Sequence, residues 1–102
     1  MPNYLIVWKY KIKAEYKEKF EFEYGANGTW NSLFSKSKNY RGSNLHKSEI
    51  EPCIYLLIDS WKSREFYEIF IKSNNQDYQK ISSKFEYLYE TEEKIGAFNF
   101  VE

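Results

Sequence analysis

The sequence predicts an α+β fold, an antiparallel four-stranded sheet with helices on one face. Three observations predict it. Hydrophobic period switches between two and about four in the order strand, helix, strand, strand, helix, strand. One strand, in the stretch Cys53 to Trp61, is apolar on both sides, with Ile54, Leu56 and Ile58 on one and Cys53, Tyr55 and Leu57 on the other. A half-exposed strand alternates apolar with polar, so this one is expected to be covered on both faces. Half of the apolar residues are aromatic, with 10 Tyr, 8 Phe and 3 Trp among 102 residues, which points to a core or cavity built of large rings with polar edges.

Taken in order, Tyr4 to Lys13 is the first strand. Tyr4, Ile6, Trp8, Tyr10 and Ile12 share one face, and Leu5, Val7, Lys9, Lys11 and Lys13 the other. From Ala14 to Tyr24 the period changes. Tyr16, Phe20 and Tyr24 recur every four residues among Lys and Glu, as on an amphipathic helix. Gly25-Ala26-Asn27-Gly28 interrupts that helix, because glycine is costly inside one and Asn-Gly favours a turn. Trp30, Leu33 and Phe34 then restore helical spacing in a second short helix ending near Lys38.

Tyr40 to Lys47 is a polar strand suited to a sheet edge. A turn over residues 48–52 leads into the apolar third strand, Cys53 to Trp61. Ser63 is placed to cap a helix carrying Phe66, Ile69 and Phe70 on one stripe. Ser73-Asn74-Asn75 punctuates, and a longer helix follows with Tyr78, Ile81, Phe85 and Leu88 on one side. Ile95 to Val101 alternates as the last strand. The order is that of the ferredoxin-like βαββαβ arrangement, in which the first and third strands are central. Length and the absence of linkers or repeats predict a single domain, 1–102. One chain has no element left to cover the second sheet face, so a homodimer through that face is expected.

Charge excludes some functions. Fifteen basic and fifteen acidic residues balance, so no basic excess points to nucleic acid. No apolar run is long enough to span a bilayer and no secretory leader opens the chain. No membrane partner and a cytoplasmic location are therefore expected. A lone cysteine forms no internal disulfide, and no cysteine cluster suggests structural zinc.

Several side chains are candidates for chemistry, each with a structural alternative. Trp30 and Trp61 either wall a pocket, offering an indole face and N–H to a planar ligand, or lock helix to sheet. Asp59, two residues before Trp61, either holds a substrate hydroxyl and accepts its proton or serves the turn before the Ser63 helix. Tyr10, Tyr55 and Tyr78 could hydrogen-bond a phenolic ligand. His46, the one histidine, could pair with Cys53 across the turn, bind a haem iron, or sit at a rim. Arg41 and Arg64 could hold a carboxylate or form surface ion pairs.

The sequence also resembles the antibiotic biosynthesis monooxygenase superfamily of dimeric α/β-barrel proteins. The resemblance runs through Trp8; Phe20-Glu21; Tyr24-Gly25; Gly28-Thr29-Trp30 with Leu33-Phe34; Gly42 and Leu45; and Pro52 with Tyr55-Leu56. It continues through Ile58-Asp59-Ser60-Trp61 and Ser63; Tyr67, Phe70 and Tyr78; and Glu92-Glu93 with Ile95-Gly96-Ala97-Phe98. It implies a ferredoxin-like dimer with a pocket between sheet and helices. It further implies a cofactor-independent monooxygenase acting on a small electron-rich aromatic such as a quinol or polyphenol. The superfamily also holds non-catalytic binders of small hydrophobic ligands and haem-degrading proteins, and these stand as alternatives. No catalytic set carries over by residue. The expected substrate-binding residues are Trp30, Trp61, Asp59, Tyr55, Tyr78 and His46, with no metal and no cofactor.

Overall fold

The computed structural model describes residues 3–102. Four strands form one antiparallel sheet: β1 (Tyr4–Ile12), β2 (Tyr40–Lys47), β3 (Ile54–Trp61) and β4 (Tyr89–Asn99). Their spatial order is β2-β3-β1-β4, so the two strands richest in apolar residues are central and the two polar ones are edges. Four helices cover one face: α1 (Lys17–Tyr24), α2 (Thr29–Phe34), α3 (Arg64–Ser73) and α4 (Asn75–Phe85). This is the ferredoxin-like α+β fold. No helix among the described residues is long and apolar enough to cross a membrane.

Alternation decides which strand faces look inward. Tyr4, Ile6, Tyr10 and Ile12 of β1 and Tyr55, Leu57, Asp59 and Trp61 of β3 are buried under the helices. From α1, Phe20 and Tyr24 stack on one another at 4.4 Å. Phe20 meets Tyr10 at 5.3 Å and Tyr55 at 5.1 Å, so a single ring ties the first helix to both central strands. Edge-to-face and offset contacts of this kind add to plain area burial.

The glycine interruption is sterically required. A Cβ on Gly28 would lie 2.2 Å from the Phe22 carbonyl oxygen, and one on Gly25 2.5 Å from that of Glu21. Here the chain reverses against its own helix end, and Thr29 donates its hydroxyl to the buried Glu23 carboxylate at 2.7 Å. Ser63 caps α3, its Oγ accepting from the Phe66 N–H at 3.3 Å.

Four details depart from the sequence expectations. The third strand begins at Ile54, because Cys53 turns the chain at φ 66°, a left-handed conformation uncommon for a residue with a Cβ. The last strand begins at Tyr89 rather than Ile95. Thr91 to Lys94 pair with β1 but lie at an edge where nothing buries them, so they carry no apolar alternation. The second helix stops at Phe34 and continues as turns, not as helix, toward Tyr40. On α3 the buried residue is Phe70, with Tyr67 and Ile71 packed beside it, while Phe66 and Ile69 are exposed. The inward stripe is thus rotated from the one expected.

The outer sheet face carries Leu5, Val7, Ile54, Leu56, Ile58 and Phe98. Val7 pairs with Ile58, Leu5 with Phe98 and Lys9 with Leu56. Leu56 is 39% exposed and Phe98 48%, and among the described residues no element lies over them.

Two substitutions test this account of the core by urea unfolding. Phe20→Ala is expected to cost about 3–5 kcal/mol as a core truncation. Gly28→Ala is expected to cost about 3 kcal/mol, the upper end for overpacking, because the clash is with backbone.

Candidate active site

A cavity opens between the sheet and the helices. The sheet contributes Trp8, Tyr10, Leu57, Asp59 and Glu92, the first two helices Tyr24, Trp30 and Phe34, and α4 Tyr78 and Ser82. Its walls are mostly aromatic, with rings meeting at angles. Trp30 contacts Tyr78 at 5.1 Å edge-on, Phe34 at 5.8 Å and Tyr24 at 6.0 Å. The volume that water centres can occupy is about 20 Å³, room for one water molecule.

Asp59 is the acidic group of the floor. Its inward direction follows from parity with Tyr55 and Leu57, and it is 5% exposed. Ser43 on β2 stands directly opposite it across the ladder and donates its hydroxyl to Asp59 Oδ1 at 2.6 Å. Burial disfavours the charged carboxylate and lifts its pKa to about 6, while hydrogen bonds from Ser43 and Trp8 pull the other way. The group therefore changes charge close to neutrality.

The cavity's phenols behave differently. Tyr10 donates to Glu92 at 2.7 Å. Burial pushes Tyr10, Tyr24 and Tyr78 above the ordinary tyrosine value, and for Tyr10 and Tyr78 the carboxylates of Glu92 and Asp59 add to the effect. They remain neutral hydroxyls at physiological pH and can donate hydrogen bonds. The Trp30 Nε1–H is buried beside the Tyr24 hydroxyl but makes no hydrogen bond of good geometry, so it can turn to a guest.

Of the residues singled out from sequence, Tyr10, Trp30, Asp59 and Tyr78 meet at this cavity. Trp61 does not line it. It is fully buried one layer behind, against Phe34 at 5.5 Å and Phe70 at 5.3 Å, and its own Nε1–H is also unpartnered. Tyr55 points to the same side of the sheet but toward α1, where its hydroxyl donates to Glu21. His46 is exposed on the edge strand and pairs with Leu56. It lies beside Lys9, Ile54 and Leu56 on the outer face, so it supplies the cavity with no imidazole and stands away from any haem that cavity could take. Arg64 pairs with Glu68 at 2.7 Å on the surface, and the Arg41 guanidinium donates to the Lys38 carbonyl. No cluster of three or more His, Cys, Asp or Glu side chains suited to a metal ion occurs among the described residues.

Sequence reasoning missed Trp8, Tyr24, Ser43, Ser82 and Glu92 as parts of one site. Trp8 was accessible from parity, since it shares the face of Tyr10. Glu92 was not, because its placement depends on the early start of β4.

No family model and no curated protein sequence matches the chain. Solved structures do. SnoaB, a cofactor-independent oxygenase from Streptomyces nogalater, superposes with TM-score 0.72 at 13% identity, over 100% of this chain and 96% of that one. The fold is that of the antibiotic biosynthesis monooxygenases. A Bordetella bronchiseptica protein provisionally described by that name gives TM-score 0.73 at 17% identity with both chains fully covered. A NIPSNAP family protein from Agrobacterium tumefaciens gives 0.66 at 12% identity, over 97% of this chain and 93% of that one. At such identities the likeness is one of monooxygenase-like fold, and the fold also carries proteins of other descriptions.

The raised Asp59 pKa has a consequence for stability. The fold favours the protonated carboxyl, so stability present below the unfolded value of 3.8 is lost as pH rises through about 6. A shift of about two units corresponds to about 3 kcal/mol. Urea unfolding between pH 4 and pH 7 should show the native chain losing about that much relative to Asp59→Asn, which has no such titration.

Proposed function

We propose that the chain is a small cofactor-independent monooxygenase that oxidises an electron-rich aromatic, of quinol or polyphenol type, in this cavity. One observation carries the reading: a buried carboxyl with a pKa of about 6 on the floor of an aromatic-walled cavity. A general base works best when its pKa lies near the operating pH.

In this reading the substrate ring stacks against Trp30 and presents an acidic hydrogen to Asp59. The Trp30 Nε1–H and the neutral Tyr24 and Tyr78 hydroxyls hold the substrate's oxygen atoms. Proton transfer to Asp59 leaves a substrate anion that gives electrons to dioxygen. One oxygen atom enters the ring carbon as a carbonyl, the other leaves as water with the hydrogen from that carbon and the hydrogen from a phenolic hydroxyl, and the substrate itself is the reductant. The chain supplies position and electrostatics in a dry site. Ligand sites for molecules of this size span roughly 300–1,000 Å³. The cavity must therefore widen, and half-buried Tyr78 on α4 is the wall that moves.

The non-catalytic alternative calls for a pocket floor without a titratable group. Asp59 favours catalysis over it. The haem alternative requires an imidazole that the cavity lacks.

Oxygen uptake over a panel of quinols and hydroxylated polycyclic aromatics tests the reading. Uptake should rise with pH through about 6 as Asp59 ionises. Asp59→Asn should lower it by about 10²-fold or more while leaving the chain folded. No uptake across the panel from well-folded protein would overturn the proposal.

We also infer that two copies associate through the outer sheet face. The support is its row of Leu5, Val7, Ile54, Leu56, Ile58 and Phe98, uncovered within the chain, each buried Å² of which contributes about 25 cal/mol on association. Sedimentation should find a dimer, and Leu56→Arg should shift it to monomer. A folded monomer of the native chain would count against it.

A further inference from the structure

Asp59 faces the cavity from the floor beside Trp8, and a second line of hydrogen bonds leads from it away from the cavity, toward the open edge of β2. Ser43 Oγ donates to Asp59 Oδ1 at 2.6 Å. The Tyr40 hydroxyl is in short contact with Ser43 Oγ. Tyr40 in turn accepts from Asn31 Nδ2 at 3.4 Å. Because the single Ser43 hydroxyl hydrogen goes to Asp59, the Tyr40 hydroxyl is the donor to Ser43, and its oxygen still accepts from Asn31. Tyr40 and Asn31 are half-buried at the sheet edge, whereas Ser43 and Asp59 are buried.

This alignment is a product of backbone geometry. Residues three apart on a regular strand point to opposite faces. Between Tyr40 and Gly42 the β2–β3 register shifts, so that Tyr40 stands opposite Trp61 while Ser43 stands opposite Asp59. The extra residue turns Tyr40 and Ser43 to the same side. Gly42 makes the shift possible at φ 106°, with open space around it. Its glycine serves the backbone conformation and not a close contact.

We propose that Ser43 and Tyr40 form a hydroxyl relay through which Asp59 exchanges its proton with solvent at the β2 edge, without passage through the ligand cavity. In one shift Tyr40 takes a proton from water and passes its own to Ser43, and Ser43 passes its own to Asp59 Oδ1. Each hydroxyl breaks one O–H bond and forms one, and the reverse shift returns a proton to water. Ser43 and Tyr40 are positioning residues that act through Asp59. The relay's use in catalysis rests on the monooxygenase reading: a base sealed beneath a bound ring would regain its working charge from behind. The groups facing Asp59 leave it the titration near neutrality to itself among the aromatic hydroxyls, since Tyr10 on β1, Tyr40 on β2, Tyr67 on α3 and Tyr78 on α4 are all pushed above 10. Glu92 on β4 shares the cavity but belongs to its mouth, bonded to Tyr10.

The test needs no substrate, so it can fail or succeed independently of turnover. The chain has two aspartates, Asp59 and Asp77, and Asp77 is an exposed internal control paired with Lys36. With aspartate labelled by ¹³C at Cγ, the native protein should show one Asp59 resonance that moves smoothly with pH, its proton in fast exchange. Tyr40→Phe and Ser43→Ala should each lose that averaged signal near the midpoint, by broadening or by splitting into two, while Asp77 is unchanged. Ser43→Ala should also raise the Asp59 midpoint by about one pH unit, the worth of a hydrogen bond to a charged group. A sharp averaged resonance in both variants would overturn the relay and route the proton through the cavity. Loss of averaging in Ser43→Ala alone would also overturn it, leaving Ser43 as a simple orienting donor.

Discussion

The packing of Phe20 and Tyr24 onto Tyr10 and Tyr55 is the contact on which the remainder depends. It joins the first helix to both central strands and sets how closely the helical layer approaches the sheet. Rings packed edge-on or tilted fill space less completely than interdigitated aliphatic chains, and the gap left beside Trp30 and Tyr78 is the cavity. The same layer excludes water from the inner face of β3, and with it from Asp59.

A carboxyl in that position would be untenable as a bare charge, since burying an unpaired ion costs far more than one domain's margin of stability. The structure meets this in two ways at once. The group moves toward its neutral form, and one polar edge strand supplies a hydroxyl to what charge remains. The polar composition of β2, which marks it as an edge, is thus also what serves the buried floor. The opposite edge does the same for the cavity's mouth, where Glu92 of β4 receives the Tyr10 hydroxyl.

The two sheet faces divide the labour. The inner face carries rings, the Asp59 carboxyl and the buried, unpartnered Trp61 N–H. The outer face carries apolar side chains flanked by Lys9, His46 and Glu93. Both faces come from the same strands, so period-two alternation alone separates the two sets of side chains.

Composition and period by themselves determined the element order, the central position of β1 and β3, the glycine break and the Ser63 cap, because each follows from interactions within a few residues or from one strand's own alternation. They also brought Trp30, Asp59 and Tyr78 forward as polar-edged or charged groups in apolar surroundings. They could not say which face of the two-sided apolar strand looks inward, since Ile54-Leu56-Ile58 and Tyr55-Leu57 are equally suited to burial. Nor could they start β4 at Tyr89, rotate α3 onto Phe70, send His46 to the outer face or set Ser43 opposite Asp59. Those depend on register and on what lies across the sheet, and a local pattern carries no record of contacts made between residues sixteen or eighty positions apart.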